Sequence, residues 1–440
     1  MKLSMKLAAT SVMACALAIA ALTGCSSSTA SSSSASTEAE SSESAAVDTS
    51  EAASEGGSET SSVAASESSS APLEESTAAE SSDEIMPLAH EIPSWFTATD
   101  SMKLVYAQEF SVDYDAEGRA YICIGNGEHF LYLPEGVSAP EGVDEDTTVI
   151  NGPLKSIYAA STSTLDLFDK CGAMDSVALV GTEYKNWTIQ SVRDAMDSGD
   201  IKYAGKYSEP DFELIATSDI DFIIQNSDIS HSVSTLEKLE EMGYDVMIER
   251  TSAESHPLGR AEWVKLMGLL TGHEEEAEAA FDELNAQFEA NIVTQKSDKT
   301  LAYFYVNSQG QASVRLPSNY IIKTILLAGG NYAFEDIDSE GDEVASVKID
   351  MEAFYESARD TDILIYNNNK DKSVKDIESL IARNSLLADC KAVKEGNVWC
   401  TGANVYQQVT AVPGLLEDFR AIISGEADGK DELNYLTRLK

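Results

Sequence analysis

Phe212-Glu213-Leu214-Ile215 leads into Asp221-Phe222-Ile223-Ile224-Gln225-Asn226. The pattern returns as Met351-Glu352-Ala353-Phe354 leading into Asp362-Ile363-Leu364-Ile365-Tyr366-Asn367. Each copy starts with an acid in a short helical segment and ends in an apolar run closed by Asn. Short continuous apolar runs bounded by polar residues are the pattern of strands buried on both faces. Helix then buried strand, twice over, predicts two equivalent α/β lobes with mostly parallel sheets. Parallel strands bring their carboxyl ends to one edge, where open α/β folds bind ligands. Two such edges facing each other make a cleft.

Around the first copy the alternation continues. Ser156–Ala160 is a short strand, and Ser161-Thr162-Ser163-Thr164 caps a helix through Leu165, Leu167, Phe168 and Cys171 that stops at Gly172. Val177–Val180 and Val246–Ile248 are further strands, with a helix from Leu236 to Met242 stopped by Gly243. These elements define an N-lobe over 151–272. From Glu274 to Lys296, Ala277, Phe281, Leu284, Phe288 and Ile292 form one apolar stripe at helical spacing. The expectation is a long, rigid interlobe helix within 273–298. Alternation restarts through Ala302–Val306, Ile321–Leu327, Ile363–Tyr366 and Val398–Cys400, giving a C-lobe over 299–440.

Upstream, 92–150 alternates in the strand manner through Leu104, Tyr106, Phe110, Val112, Tyr114 and Tyr121–Ile124, with a turn at Asp115-Ala116-Glu117-Gly118. It reads as an antiparallel β-hairpin unit. Asp113, Asp115, Glu117 and Gly118 have the spacing of a calcium loop, as do Asp336, Asp338, Glu340 and Gly341. Both lack the bidentate Glu at the twelfth position, held here by Ile124 and Val347. They read as acidic turns.

The first 25 residues read as an address. Lys2 and Lys6 precede an apolar run from Leu7 to Leu22, short for a membrane span, which ends in Leu22-Thr23-Gly24-Cys25. That is a lipobox pattern, with Cys25 as the lipidated N-terminus of the mature chain. Residues 26–85 hold 23 Ser and 13 Asp or Glu, with no Lys, Arg or aromatic residue. Such a segment cannot bury enough apolar surface to offset its ordering entropy, so 26–91 is expected to be a disordered tether. The order is lipid, tether, then a folded body outside a bacterial cell membrane.

Charge and motifs narrow the function. The 440 residues carry 30 Lys and Arg against 75 Asp and Glu, a net charge of −45; from residue 86 on, 62 acids against 28 bases still leave −34. Nucleic acid is excluded as a partner, because its recognition rests on clustered cations. Cys123, Cys171, Cys390 and Cys400 are too dispersed for a zinc ribbon and read as small core residues, with a Cys390–Cys400 disulfide as the alternative. No phosphate loop, Gly-x-Ser-x-Gly or His-Glu-x-x-His is present, and Gly125-Asn126-Gly127 sits in a hairpin rather than between strand and helix. The reading is a binding protein, not an enzyme. A stalked cell-surface adhesin and an exported hydrolase without recognisable motif are the alternatives.

Lipobox, Ser-rich tether and bilobed body together resemble an ABC-transporter substrate-binding lipoprotein of the iron–siderophore, haem and cobalamin class. The most similar block is Tyr203-Ala-Gly-Lys-Tyr207-Ser-Glu-Pro-Asp-Phe-Glu213-Leu-Ile followed by Asp221-Phe-Ile-Ile, departing at Ser218-Asp219-Ile220-Asp221. Glu254-Ser-His256-Pro-Leu-Gly-Arg260-Ala-Glu-Trp263 resembles the segment before the interlobe helix, and Ala328-Gly329-Gly330-Asn331 a C-lobe helix ending. The resemblance implies a monomer with no intrinsic cofactor that captures an iron or cobalt chelate for an ABC permease and its ATPase. It also implies that Glu213 and Glu352 dock at permease arginines. Both acids equally suit first helical turns behind N-caps Asp211 and Asp350. A large chelated ligand wants aromatic faces and, for anionic groups, Arg. Tyr207, His231, His256, Arg260, Arg315, Trp399 and Tyr406 are therefore the candidate ligand contacts, the two histidines also as axial ligands of haem iron or cobalt.

Overall fold

The computed structural model of the protein describes residues 88–338 and 346–440. The address with Cys25, nearly all of the tether, and Glu340-Gly341 of the second acidic turn lie outside these residues. The fold is mixed α/β. Strands β1 (Asp100–Ser101), β2 (Phe110–Tyr114), β3 (Ala120–Ile124), β4 (His129–Leu133) and β5 (Thr147–Asn151) form a first sheet in that order. It is more than a hairpin unit, because β5 pairs with β4 in parallel. The turn after Tyr114 is the acidic turn read from the sequence. The Asp115 carboxylate accepts the Glu117 and Arg119 backbone N–H groups and the Arg119 guanidinium.

Residues 102–109 are not a strand as the alternation of Leu104 and Tyr106 predicts. Two buried carboxylates take their backbone instead. Glu262 accepts the N–H groups of Val105, Tyr106 and Ala107 at 2.8–3.0 Å. Glu254 accepts those of Gln108 and Glu109 and the Trp263 indole N–H. Those donors are thus satisfied without a sheet ladder.

The second sheet is entirely parallel. Its elements run β6 (Ile157–Ala159), α1 (Thr162–Lys170), β7 (Val177–Val180), α2 (Gln190–Ser198) and β8 (Lys202–Tyr203). A small ribbon, β9 (Gly205–Lys206) with β10 (Glu209–Pro210), follows, then α3 (Phe212–Thr217), β11 (Phe222–Asn226), α4 (Val233–Glu241) and β12 (Val246–Glu249). The strand order is β12-β11-β6-β7-β8. Ser161 stands at the N-cap of α1, but its hydroxyl pairs with Ser163 rather than with the helix backbone.

Three helices follow: α5 (Pro257–Glu262), α6 (Val264–Thr271) and α7 (Glu274–Glu289). Helix α7 ends at Glu289, not Lys296. The next residues, Asn291-Ile292-Val293-Thr294, combine Asn with β-branched side chains of low helix propensity. The chain turns there to run along the end of a later helix, with Val293 N–H on Leu327 O and Ser297 N–H on Gly329 O. Ala277 and Phe281 of α7 pack into the core of the first two sheets, Leu284 and Phe288 into that of the third.

The third sheet comprises β13 (Thr300–Val306), β14 (Ala312–Arg315), α8 (Tyr320–Leu327), β15 (Asn331–Tyr332), β16 (Ser346–Ile349), α9 (Met351–Ala358), β17 (Ile363–Tyr366), α10 (Ile377–Arg383), α11 (Lys391–Lys394), β18 (Val398–Thr401), α12 (Asn404–Gln407), α13 (Val412–Ser424) and β19 (Leu436–Arg438). Ile321–Leu327 belongs to helix α8, whose N-cap Asn319 accepts Ile321 N–H. The strand order is β16-β14-β13-β17-β18-β19, with β15 beside β13. Both echoed runs are thus central strands, β11 and β17, each preceded by a short helix. The four cysteines among the described residues, Cys123, Cys171, Cys390 and Cys400, are buried and free, so Cys390 and Cys400 form no disulfide.

Candidate functional site

Parallel strands aim their carboxyl ends one way, and polar side chains collect there in both halves. Gln225 and Asn226 end β11, Thr251 follows β12, Asn367 follows β17 and Thr401 ends β18. Gln225, Thr251, Asn367 and Thr401 are at most 1 % exposed, and each carries a buried side-chain atom without a hydrogen-bond partner, as does Asn226 through Oδ1. Both polar atoms of Gln225 and of Asn367 are unpaired. An unpaired buried polar group costs about 1–3 kcal/mol, so several at matching strand ends mark a place built to meet something polar.

One group of larger side chains joins the two halves. Glu249, the last residue of β12, is 2 % exposed and accepts Thr251 N–H at 2.7 Å. Burial holds its carboxyl above the ordinary range, against the pull of Thr251, the nearby Arg260 and the Ser163 hydroxyl. Arg260, on α5, lays its guanidinium over the Tyr320 ring at 3.9 Å, and its Nε has no partner. Tyr320 opens α8, and α5 packs Leu258 and Ala261 into the same third-sheet core, so this cation–π contact, worth about 0.5–2 kcal/mol, lies on that side, while Glu249 of β12 beside Arg260 ties the second sheet to it. Beyond it, the hydroxyls of Tyr303 on β13 and Tyr406 on α12 are hydrogen-bonded, and Arg315 on β14 bonds Tyr406. Burial pushes the Tyr406 hydroxyl up to about 12 and the Tyr303 hydroxyl up strongly, so both stay neutral donors near pH 7. Two permanent guanidinium forks and three phenols therefore converge beside one buried carboxylate. Such forks match the paired oxygens of carboxylates, phosphates and catecholates, and phenol rings add flat apolar faces.

Arg260, Arg315 and Tyr406 were read from the sequence as contacts and are brought together here. The other four are not. His256 is the N-cap of α5: its Nδ1 accepts Leu258 N–H at 3.2 Å and its ring stacks on Tyr106 at 4.2 Å. Burial first, then the Lys323 charge, pulls its pKa down to about 4, so it is a neutral cap. Trp399 is fully buried in the third sheet, its N–H on Asn397 and Arg438 over its ring, and offers no face outward. Tyr207 packs on the far apolar layer of the second sheet with Phe212 and Tyr244. His231 is exposed on the turn after β11. Tyr303, Tyr320, Glu249 and Gln225 were missed. The Asn ending each echoed strand was the available signal for Asn226 and Asn367.

Glu213 and Glu352 are both exposed at the second residue of their helices, α3 and α9. Asp211 caps α3 through Glu213 and Leu214 N–H. Asp350 holds the N-cap position of α9 but makes no cap bond, accepting Gln311 instead.

Two other places in the molecule have features of a site. A cavity of about 400 Å³ is lined by Asn151, Pro153, Lys155, Asp221 and Asp245 among others, at the amino ends of β6, β11 and β12, the edge opposite the cluster. Ser111, His90 and Asp113 line up like a hydrolytic triad, with His90 Nδ1 3.1 Å from the Ser111 hydroxyl and Nε2 2.5 Å from Asp113. Nδ1 also lies 3.0 Å from Leu88 O, which can only accept, so this nitrogen carries a proton and cannot take one from Ser111. Ser111 is itself buried. The trio pins residues 88–90 to the first sheet.

Comparison with known proteins agrees with this geometry. An uncharacterized lipoprotein of Methanocaldococcus jannaschii is 26% identical over 331 residues, 72% of this chain and 76% of that protein. A second one from the same organism is 24% identical over 354 residues, 76% of this chain and 86% of its own. A periplasmic binding protein of Veillonella parvula superposes with a TM-score of 0.53 at 16% identity, over 72% of this chain and 98% of that one. The petrobactin-binding protein YclQ of Bacillus subtilis does so at 0.50 and 16%, over 70% and 98%. The family model described as periplasmic binding protein matches residues 157–405. That span is more than half of the chain and contains the parallel second sheet, the mixed third sheet except β19, and the cluster except Tyr406, and the protein belongs to the periplasmic binding protein family.

Proposed function

We propose that the protein is the extracytoplasmic solute-binding component of an ABC importer, and that its ligand is an anionic metal chelate. The second and third sheets with their helices are then an N-lobe and a C-lobe, α7 is the strut between them, and the Arg–Tyr cluster lies in the cleft. The observation that carries the reading is the convergence of Arg260 and Arg315 with Tyr303, Tyr320 and Tyr406 between two sheet edges rich in unpaired buried polar atoms. The petrobactin-binding neighbour supports a siderophore-like cargo. Arg260 and Arg315 would each grip an anionic edge of the cargo, and the phenols would donate to its oxygens and cover its face. Glu213 and Glu352, one exposed acid on each lobe, would register the protein on basic residues of a permease. Cys25 would carry the lipid that keeps it at the membrane. The test is titration of the purified protein with ferric citrate, a ferric catecholate, haemin and cyanocobalamin, followed by visible absorbance. An anionic ferric chelate should bind, and Arg260→Gln and Arg315→Gln should each weaken it at least about tenfold, the loss of a charge-assisted bidentate contact. Binding of cyanocobalamin alone, or unchanged affinity in both variants, would overturn the reading.

A further inference from the structure

The chain between β18 and α13 belongs by connectivity to the C-lobe, yet much of its bonding is to the N-lobe. Gln407, the last residue of α12, donates through Nε2 to Asn186 O at 2.6 Å. Its Oε1 accepts both the backbone N–H of Thr188 at 2.7 Å and its hydroxyl at 2.6 Å. Three residues on, Thr410 N–H donates at 2.8 Å to Asp166 on α1, a side chain in a residue only 4 % exposed. Between them Val409 is buried in the apolar core that includes α1 and the second sheet. Val405 and Val412, at the two ends of the segment, are buried in the core of the third sheet. The segment therefore leaves one lobe, seats a side chain in the other, and returns.

We infer that residues 404–411 form a strap that latches the two lobes at Gln407 and Asp166, and that its release opens the way to the cluster beneath. The site and the latch are neighbours in the chain. Tyr406 meets Tyr303 and Arg315 within the C-lobe, and the next residue, Gln407, holds the N-lobe loop. Within one four-residue helix, a displacement of Tyr406 cannot leave Gln407 in place. A ligand that moves Tyr406 thus acts on the latch directly, a link that rests on Tyr406 being a cleft residue as proposed above.

The latch donors are themselves the reporters. Amide hydrogen exchange on the full chain reads Thr188 N–H, whose acceptor is Gln407, and Thr410 N–H, whose acceptor is Asp166. Gln407→Ala removes only the first acceptor, at a half-buried position outside the apolar cores. If the strap opens as one unit, exchange at Thr410 rises as well, by about tenfold or more, and Asp166→Ala speeds Thr188 in return. Central amides of β11 and β17 keep their protection in both variants. If Gln407→Ala speeds Thr188 alone and leaves Thr410 unchanged, the two bonds are independent and the strap is refuted. The measurement needs no ligand, so a failed chelate titration would count against the cleft and not against the strap.

Discussion

Glu262 gives the sharpest energetic test of how the 105–107 loop is held. Its carboxylate is fully buried, accepts three consecutive backbone N–H groups at 2.8–3.0 Å, and pairs with Lys265 at 3.3 Å, a side chain itself 4 % exposed. Truncation to Ala leaves the N–H groups of Val105, Tyr106 and Ala107 without an acceptor. Lys265 keeps Lys103 O at 2.8 Å, the exposed Glu278 at 3.2 Å and the face of the Phe281 ring at 4.6 Å. Removing one partner of a buried, hydrogen-bonded ion pair costs about 3–5 kcal/mol. Unfolding releases about 2.1 cal/mol/K per residue, so a body of roughly 350 residues releases ~0.7 kcal/mol/K, and 4 kcal/mol lowers Tm by about 5–6 °C. Urea denaturation followed by circular dichroism should show a lower midpoint at unchanged slope. The control is Glu278→Ala, which removes the solvent-side partner of the same lysine and should stay within about 0.5 kcal/mol of the parent. A Glu262→Ala loss below about 1 kcal/mol, or one equal to the control, would mean that the 105–107 loop does not depend on this carboxylate.

Acidity should stabilise the body. Burial raises Glu254 to about 7 and Asp166 and Asp418 to about 6. Carboxyls whose folded pKa lies above the unfolded one contribute stability that is full below the unfolded pKa and lost as pH rises through the folded value. Melting temperature should therefore fall from about pH 5 to about pH 8, the window set by these shifts, and a rise across that range would contradict the assignment. Reversing both proposed docking acids, Glu213→Lys with Glu352→Lys, should abolish uptake in cells while leaving chelate affinity of the purified protein unchanged, because both side chains are exposed and neither belongs to the cluster. Full uptake by that double variant would reduce the two acids to helix-terminus charges.

Strands were legible where they are buried on both faces. Val177–Val180 and Ile363–Tyr366 match the structure residue for residue, because a short apolar run between polar ends has few other uses in an α/β chain. Residues 102–109 were misread because what competes with the ladder there is a pair of carboxylates some 145 to 157 positions away, invisible to any local pattern. The same blindness explains the site. Arg260, Arg315 and Tyr406 could be named from residue type and place, whereas Tyr303 falls inside the apolar Ala302–Val306 run and Tyr320 just before Ile321–Leu327, and neither stands out until the fold sets them against the guanidiniums. His256 and Trp399 show the reverse error: chemistry apt for a ligand, spent on a helix cap and a core.

The winding order of the second sheet has a consequence for how this chain comes together. The order β12-β11-β6-β7-β8 places β6 in the centre, although it is the first strand of that sheet along the chain. Strands β7 and β8 cover one side of it directly, and the other side waits for β11, on the far side of α2, the β9–β10 ribbon and α3. Until Phe222–Asn226 arrives, Ile157-Tyr158-Ala159 is an open, wholly apolar edge, the kind that pairs with a neighbouring chain. Closing it requires pairing across a long intervening loop, which is slow by nature. Substitutions that delay β11, such as a proline at Ile224, should therefore show first as aggregation during folding rather than as a loss of binding in the molecules that finish.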